Sequence, residues 1–318
     1  MPGGVSTTTQ SQLDSYPPNS YPPGFLLFLS APVLLLFVLA PYSHQQSSDY
    51  CDADFCDPGL TNVGCNPPPA EGGPACSGKQ AYSVKTNQLV QSLIVKEHNK
   101  LRSLLARGLV NNFSPAARMP QLVWDAELAS QASHNVRSCI FGHDECHNTA
   151  QFRFAGQNIA LYRYSGPLKS VEELILKEIL AWWTEANATT QAELDRYPKQ
   201  ELLSPIGHFA QMINDRAWKV GCAAQQWTES KEYNVFYLVC NYSFSNMVGE
   251  RIYLKGRPAS RCATGDDKQM PGLSSFLLIG LIDGIVSIDY CTANLCSAGV
   301  PNVGCNPPPL SGGPQCFG

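Results

Sequence analysis

Cysteine is the residue type with the clearest chemistry in this sequence, which contains 13 cysteines among 318 residues. The first four, Cys51, Cys56, Cys65 and Cys76, are not spaced as the CxxC pairs that bind zinc. So many cysteines are typical of proteins whose disulfides form in an oxidising compartment, and the odd number leaves at least one without a partner in the same chain. We therefore predict a disulfide framework and an extracellular protein.

Other catalytic patterns are missing from the sequence. There is no GxSxG motif, and Ser204 near His208 lacks the acid that a serine hydrolase needs. The glycine pairs at Gly72 and Gly312 precede no helix, so they do not predict a phosphate-binding loop. His44, His134 and His147 have no chemical partners nearby in the sequence, and we expect them to be solvated.

Charge and hydrophobicity limit the partners of the chain. The formal net charge is -4 and 44% of the residues are hydrophobic, which is a globular composition without the basic surplus that nucleic-acid binding needs. Residues 1–48 form an N-terminal extension, and its apolar run at 25–40 has the length of a signal peptide. We predict export of a mature protein that does not span the membrane. Anchoring by residues 25–40 is the alternative.

Residues 49–80 are rich in Cys, Pro and Gly, which favours loops held by disulfides. After them, TNQLVQSLIVKEHNKLRSLLARG predicts a helix, with Gly108 as its end. Val90, Ile94, Leu101 and Leu105 form its apolar stripe. His98 lies on the same face, so we predict a core histidine in contact with Arg102 or with the backbone.

Two more helices and a strand pair follow. Asp125 is placed to cap a helix whose Leu128 and Ala132 face inward, and Ser170 with Glu173 predicts a capping box at the start of LILKEILAWW. The β-rich runs at 220–228 and 233–243 predict an antiparallel pair. The predicted helices come early in the chain and the predicted strands come late. This order favours layered α/β packing over a parallel doubly wound sheet.

An internal repeat changes the interpretation of the C-terminal tail. Residues 49–78 recur at 289–318 with identical cysteine spacing. Met270 begins an apolar stretch, 270–288, that resembles a second signal segment. We predict a main domain at 81–265 and a truncated repeat at 289–318 that is too short for an independent core.

Four ordered motifs carry a family resemblance: HNKLR at 98–102, GQNIA at 156–160, GHFAQMIND at 207–215 and LVCNYSFSN at 238–246. Together they resemble the signatures of the CAP superfamily, and residues 139–158 resemble its insect venom-allergen (antigen 5) branch. The resemblance implies an α-β-α sandwich with a surface cleft. The chain departs from the family at Asn214, where a Trp is usual, and after Tyr242, where a Gly-Pro pair is usual.

The resemblance also implies disulfides, which pair Cys51 with Cys65, Cys56 with Cys146, Cys76 with Cys139, and Cys222 with Cys240. The last pair follows independently from the strand interpretation, because a hairpin can bring these two positions into register. These cysteines are expected to be structural rather than redox-active.

The cleft of relatives gathers two histidines and two glutamates, and the matching residues here are His143, Gln157, Glu185 and His208. Two imidazoles and Glu185 could coordinate Zn²⁺, with His143 and His208 as the metal ligands. Gln157 cannot act as a base, so we expect no conventional enzyme and no required cofactor. The alternative is a hydrogen-bonded network in which GQN turns the chain and His208 caps a short helix.

Three hypotheses on function remain open. The first, implied by the resemblance, is a secreted binding protein for a small hydrophobic ligand, such as a sterol or lipid, or for an extracellular protein. The second is a metal-dependent enzyme, and the third is a purely structural or interaction protein. One ring of the Trp182–Trp183 pair is expected in the core, and the other could line the cleft. Asn112 and Asn187 are predicted N-glycosylation sites, whereas the sequon at Asn241 lies in a strand expected to be buried.

Overall fold

A central antiparallel sheet with helices on both faces organises the part of the chain that the structure describes. The structure is a computed structural model, and it describes residues 49–199, 206–230, 233–262, 267–274 and 316–317. The helices are α1 Gln88–Ala106, α2 Ala126–Val136, α3 Val171–Thr184, α4 Gln191–Asp195 and α5 Gly207–Met212. The strands are β1 Tyr82–Ser83, β2 Val123–Trp124, β3 Gly156–Ser165, β4 Lys219–Ser230, β5 Tyr233–Tyr242, β6 Asn246–Met247 and β7 Cys316–Phe317.

The sheet is built around the predicted β4–β5 pair. Its strand order is β1-β4-β5-β3, and β2 joins β4 as the parallel member. All ten residues of β3 pair with β5, from Gly156 opposite Tyr242 to Ser165 opposite Tyr233. The expectation that GQN turns the chain is therefore wrong, because these three residues begin a long strand. A Cβ at Gly156 would stand 2.4 Å from the Oε1 atom of Gln211, so a larger residue there would have to displace that side chain.

The two faces of the sheet pack in separate layers, as the α-β-α expectation requires. One face packs against α1, α3 and α5 through Cys222, Ala224, Phe236, Leu238 and Cys240. The other face packs against α2 through Ala223, Val235, Tyr237 and Val239. Side chains alternate between the faces because successive residues of a strand point to opposite sides. Burying each large apolar side chain contributes about 1.5–3 kcal/mol.

Helix α1 buries the predicted stripe. Asn87 caps its start, and Gly108 follows its end in the left-handed region at φ 73°. His98 is fully buried, as predicted. Its Nδ1 atom donates to the carbonyl oxygen of Ile94 at 2.9 Å, which leaves Nε2 to accept from the hydroxyl of Tyr242 at 2.8 Å. Burial lowers the pKa of His98 to about 4, so the ring is neutral.

Arg102, one turn further along α1, is also fully buried. Its guanidinium donates to four backbone carbonyl oxygens, at distances from 2.7 to 3.2 Å, which belong to Pro120, Met212, Asn214 and Ala217. The Coulombic effect of nearby Asp215 raises its pKa, but burial is stronger and lowers it to about 10. Arg102 therefore joins α1 to the loop before β2, to the end of α5 and to the loop that follows α5, through backbone carbonyls alone.

Helix α2 begins as predicted. The carboxylate of Asp125 accepts from the backbone nitrogens of Glu127 and Leu128, and Leu128 and Ala132 are fully buried. The helix packs directly on β4 at Gly221, where a Cβ would lie 2.2 Å from the backbone nitrogen of Ala129. Glycine is thus required at this position by the close approach of a helix to a strand.

Helix α3 shows half of the predicted capping box. Ser170 accepts from the backbone nitrogen of Glu173, but the Glu173 carboxylate accepts from Lys169 at 3.0 Å. A complete capping box is formed by Thr190 and Glu193 at the start of α4, which the sequence analysis did not predict. At an exposed helix start, the flexible amine of Lys169 competes with the backbone for Glu173.

The cysteine-rich segment is tied to the domain at α2 and at the loop that follows it. Among the described residues, four disulfides form, Cys51–Cys65, Cys56–Cys146, Cys76–Cys139 and Cys222–Cys240, in agreement with the expected pairs. Tyr50 donates to the carboxylate of Glu127 at 2.6 Å. Asn62 donates to the carbonyl oxygen of Asn148 and accepts from Gln131.

The chain continues to pack on the domain beyond residue 265, where we predicted the domain to end. Leu273 is fully buried, and the backbone nitrogen of Ser274 donates to the carbonyl oxygen of Met119. Strand β7 pairs with β6. The apolar segment at 25–40 and most of 270–288 and of the repeat at 289–318 lie outside the described residues. Within the described ranges, no helix is both long enough and apolar enough to cross a membrane.

Candidate functional site

The four predicted cleft residues form two hydrogen-bonded pairs. His143, in the loop after α2, donates from Nδ1 to Oε1 of Gln157 in β3 at 2.8 Å. His208, in α5, donates from Nδ1 to Oε1 of Glu185 at the end of α3 at 2.6 Å. Asn158, which follows Gln157 in β3, donates to the carbonyl oxygen of His208 at 3.1 Å, so the two pairs lie close together. The structure thus brings all four residues to one site.

Gln157 is the centre of the first pair and is fully buried. Its Nε2 atom donates to Oδ2 of Asp144 at 2.6 Å and to Oδ1 of Asn241 at 3.0 Å. Both hydrogens of the amide and its oxygen are therefore used within the protein. Burial lowers the pKa of His143, and its Nδ1 is engaged, so a neutral ring presents the Nε2 lone pair.

Asp144 is a member of the site that the sequence analysis missed. Its side chain is 7% exposed and also accepts from Asn135 at 2.7 Å. Burial raises its pKa to about 6, although the hydrogen bonds from Gln157 and Asn135 oppose the shift. Its position next to His143 was the available signal, but no motif distinguishes it from a solvated aspartate.

His147 packs behind the Asp144 carboxylate, so the expectation that His147 is solvated is wrong. Its Nε2 donates to the carbonyl oxygen of Ala155 at 3.0 Å, and its Nδ1 lies 3.8 Å from Oδ2 of Asp144. Burial lowers its pKa to about 4. His134 is not simply solvated either, since Arg137 donates to its Nδ1 and burial lowers its pKa to about 4. His44 lies outside the described residues.

Glu185 holds the second pair. Its Oε2 accepts from the backbone nitrogens of His208 at 2.9 Å and Phe209 at 3.0 Å, while Oε1 accepts from the His208 ring. The expectation that His208 caps the short helix α5 is therefore wrong, because Glu185 binds the free N–H groups at the start of α5. The negative charge is favourable at that end of a helix.

Trp182 completes the His208 side of the site. Its ring is 3% exposed and stacks on the imidazole, with centroids 5.9 Å apart, and its indole nitrogen donates to the carbonyl oxygen of Ile159. Trp183 packs edge-on against Phe209 in the core. The more buried ring of the pair is thus the one in contact with the site.

The donor set does not suit a tight zinc site. Glu185 is used by three hydrogen bonds, so it orients His208 as an outer partner rather than offering a ligand atom. Two imidazole Nε2 atoms remain, fewer than the three protein ligands of catalytic zinc sites. Across the residues that the structure describes, no group of three or more His, Cys, Asp or Glu side chains is placed to hold a metal ion.

An apolar rim lies beside His143. Ile140 and Phe141 are 62% and 54% exposed, and they precede His143 in the same loop. The loop is fixed by the Cys76–Cys139 disulfide and by Tyr237, whose hydroxyl donates to the carbonyl oxygen of Gly142 at 3.1 Å. Two large apolar side chains are therefore exposed to water within three residues of His143, and exposed apolar groups beside polar ones are typical of a binding surface.

Comparisons with known proteins match this architecture. The model of the cysteine-rich secretory protein family (CAP) matches residues 95–242, which include all four cleft residues. The chain is 42% identical over 243 residues to venom allergen-1 of Aedes albopictus, covering 76% of this chain and 93% of that protein. It is 33% identical over 240 residues to venom allergen 5 of Polistes dominula, covering 71% and 99%. The solved structure of BmVAL-1 is 26% identical with a TM-score of 0.50, covering 63% of this chain and 97% of that chain.

Proposed function

Because this chain belongs to the cysteine-rich secretory protein (CAP) family and is similar to insect venom allergens, we propose that it is exported and acts outside the cell as a binding protein. The proposed ligand is a small hydrophobic molecule of the sterol or lipid class, bound where Ile140 and Phe141 border the His143–His208 cleft. The observation that carries the proposal is this apolar rim, which a rigid loop holds beside polar groups.

The chemistry of the cleft supports binding rather than catalysis. A general base must reach a proton of the substrate or of an attacking water. Gln157 is an amide, and Glu185 already accepts three hydrogen bonds at the start of α5. What the cleft offers is two imidazole Nε2 atoms, which can orient a hydroxyl or carboxylate head group while an apolar body lies on the rim.

Native mass spectrometry of the secreted, full-length protein tests the proposal. The protein is incubated with vesicles that contain cholesterol and a long-chain fatty acid, separated from them and weighed. We expect a one-to-one complex with one of these molecules. The double variant Ile140→Ser, Phe141→Ser should lose the complex, whereas Leu168→Ser, which replaces a 65% exposed leucine in another loop, should keep it.

Three results would contradict the proposal: a wild type that takes up neither molecule, a rim variant that binds like the wild type, or a protein that stays inside the cell. Capture of a specific extracellular protein by the same rim, without any lipid, would favour the protein-partner hypothesis instead. Metal-dependent hydrolysis by the wild type would favour the enzyme hypothesis.

A further inference from the structure

The three glycosylation sequons lie in very different surroundings. Asn241 is fully buried, and its amide accepts from Gln157 at 3.0 Å and donates to the carbonyl oxygen of Leu128 at 3.3 Å. Asn112 is exposed in a left-handed turn at φ 69°. Asn187 is exposed, and its side chain makes no hydrogen bond to any of the residues that the structure describes. Only Asn112 and Asn187 can carry a glycan in the folded protein.

We propose that Asn187 carries an N-linked glycan that stands beside the Glu185–His208 pair and restricts access to that side of the cleft. The inference rests on the proposed export, because this modification is added in the secretory pathway. In that reaction the Asn187 side-chain nitrogen bonds to the sugar carbon of a polyisoprenyl-pyrophosphate-linked oligosaccharide. The bond from that carbon to the pyrophosphate oxygen breaks, the lipid pyrophosphate leaves with the electron pair, and the amide loses one proton.

The position of Asn187 follows from its backbone. Glu185–Asn187 is a single 3-10 turn, which rises about 2 Å per residue, so the Asn187 Cα lies about 4 Å along the turn axis from that of Glu185. The next residues close the turn, since Ala188 N–H and the Thr189 hydroxyl both donate to the Glu185 carbonyl oxygen, at 2.9 and 2.8 Å. The Glu185 carboxylate is bound to α5. The attachment point of a glycan at Asn187 therefore lies two residues from Glu185, in a backbone turn that is fixed by hydrogen bonds.

His208 reports whether the glycan covers the cleft. Its side chain is 30% exposed in the bare protein, and no described residue contacts its Nε2 atom by a hydrogen bond. Diethyl pyrocarbonate modifies neutral imidazole nitrogens that it can reach, and peptide mass spectrometry locates each modified histidine. His98, which is fully buried, serves as the unreactive reference.

The experiment uses the full-length protein secreted from eukaryotic cells. Treatment with peptide N-glycosidase, which hydrolyses the amide bond between the side chain and the glycan, should convert Asn187 to aspartate in the peptide map, while Asn241 stays unmodified. Removing the glycan, by the enzyme or by Asn187→Gln, should raise the modification of His208 several-fold. Asn112→Gln should leave it unchanged, and Thr189→Ser, which keeps the sequon and the hydroxyl, should keep the glycan.

Three other outcomes would contradict the inference or the proposed function. A secreted, disulfide-bonded protein with unmodified Asn187 overturns this inference and leaves the proposed export intact. A glycan at Asn187 that leaves His208 equally reactive before and after removal overturns the restriction of the cleft. A protein that is not exported and keeps reduced cysteines contradicts the proposed function itself.

Discussion

Gly221 and Ala129 approach so closely that a Cβ built on Gly221 would lie 2.2 Å from the Ala129 backbone nitrogen. The three nearest atoms, which belong to Asp125, Leu128 and Ala129, are all backbone atoms, so the clash cannot be relieved by a side-chain rotation. We expect Gly221→Ala to destabilise the protein by about 3 kcal/mol or more, measured by denaturant unfolding. Gly142→Ala is the matched control, because a Cβ there meets nothing within 4 Å. Equal stability of the two variants would contradict the packing of α2 on β4.

Stability should fall as the pH drops from about 7 to 4.5. The pKa values of His98, His134 and His147 lie near 4 in the folded protein, below the ordinary 6.5, so the unfolded chain binds more protons between these values and acid favours unfolding. Asp144, with its pKa raised to about 6, acts in the opposite direction. The three histidines outweigh it, and we expect a net loss of about 3–5 kcal/mol in the free energy of unfolding.

The contribution of His98 to this dependence can be isolated. His98→Gln removes one buried titrating group, so the difference in unfolding free energy between pH 7 and pH 4.5 should shrink, whatever the absolute stability of the variant. A difference as large as that of the wild type would show that His98 is not the neutral buried group described.

Gln157→Glu should destabilise the metal-free protein and strengthen zinc binding. A carboxylate would face the oxygens of Asp144 and Asn241, which both accept from the native amide, and we expect a loss of about 2 kcal/mol. Zinc would add a compensating charge beside His143. Calorimetric titration should therefore show stronger binding than in the wild type, with loss of binding when His208→Ala is added. Equal zinc affinity of wild type and Gln157→Glu would contradict this arrangement.

The long-range disulfides should stabilise more than the hairpin disulfide. Cys56–Cys146 spans 90 residues and Cys222–Cys240 spans 18. Because the entropy lost on closing a loop in the unfolded chain grows with its length, removing the first pair should cost about 4 kcal/mol and the second about 3 kcal/mol. Thermal unfolding of the two paired Cys→Ala variants compares them. The reverse order would show that native packing around Cys222, not loop length, dominates.

The elements that the sequence predicted share strong local patterns. Helix α1 has a regular apolar stripe and a terminal glycine, and β4 and β5 are continuous β-rich runs. Strand β3 was missed because its first residues, Gly156 to Asn158, are typical of turns. Here Gly156 lies against the side chain of Gln211, which is far away in the sequence. Local propensity cannot report such a tertiary contact.

The candidate site was predicted only in part for the same reason. The resemblance identified His143, Gln157, Glu185 and His208, but not which atoms each would use. That Glu185 serves as a helix cap depends on α5 beginning beside the end of α3. That Asp144 is buried depends on Gln157 and Asn135 converging on it. Neither relationship has a counterpart in residue type or spacing.

The hydrogen bonds of Arg102 allow the side chains around it to change during evolution. Its guanidinium is bound by carbonyl oxygens of residues 120, 212, 214 and 217, and every amino acid supplies the same carbonyl. Side chains at these four positions can therefore be exchanged during evolution without loss of the hydrogen bonds to Arg102, provided that the backbone path is kept. Arg102 itself cannot be exchanged in this way, because Lys cannot reproduce its planar fork of donors.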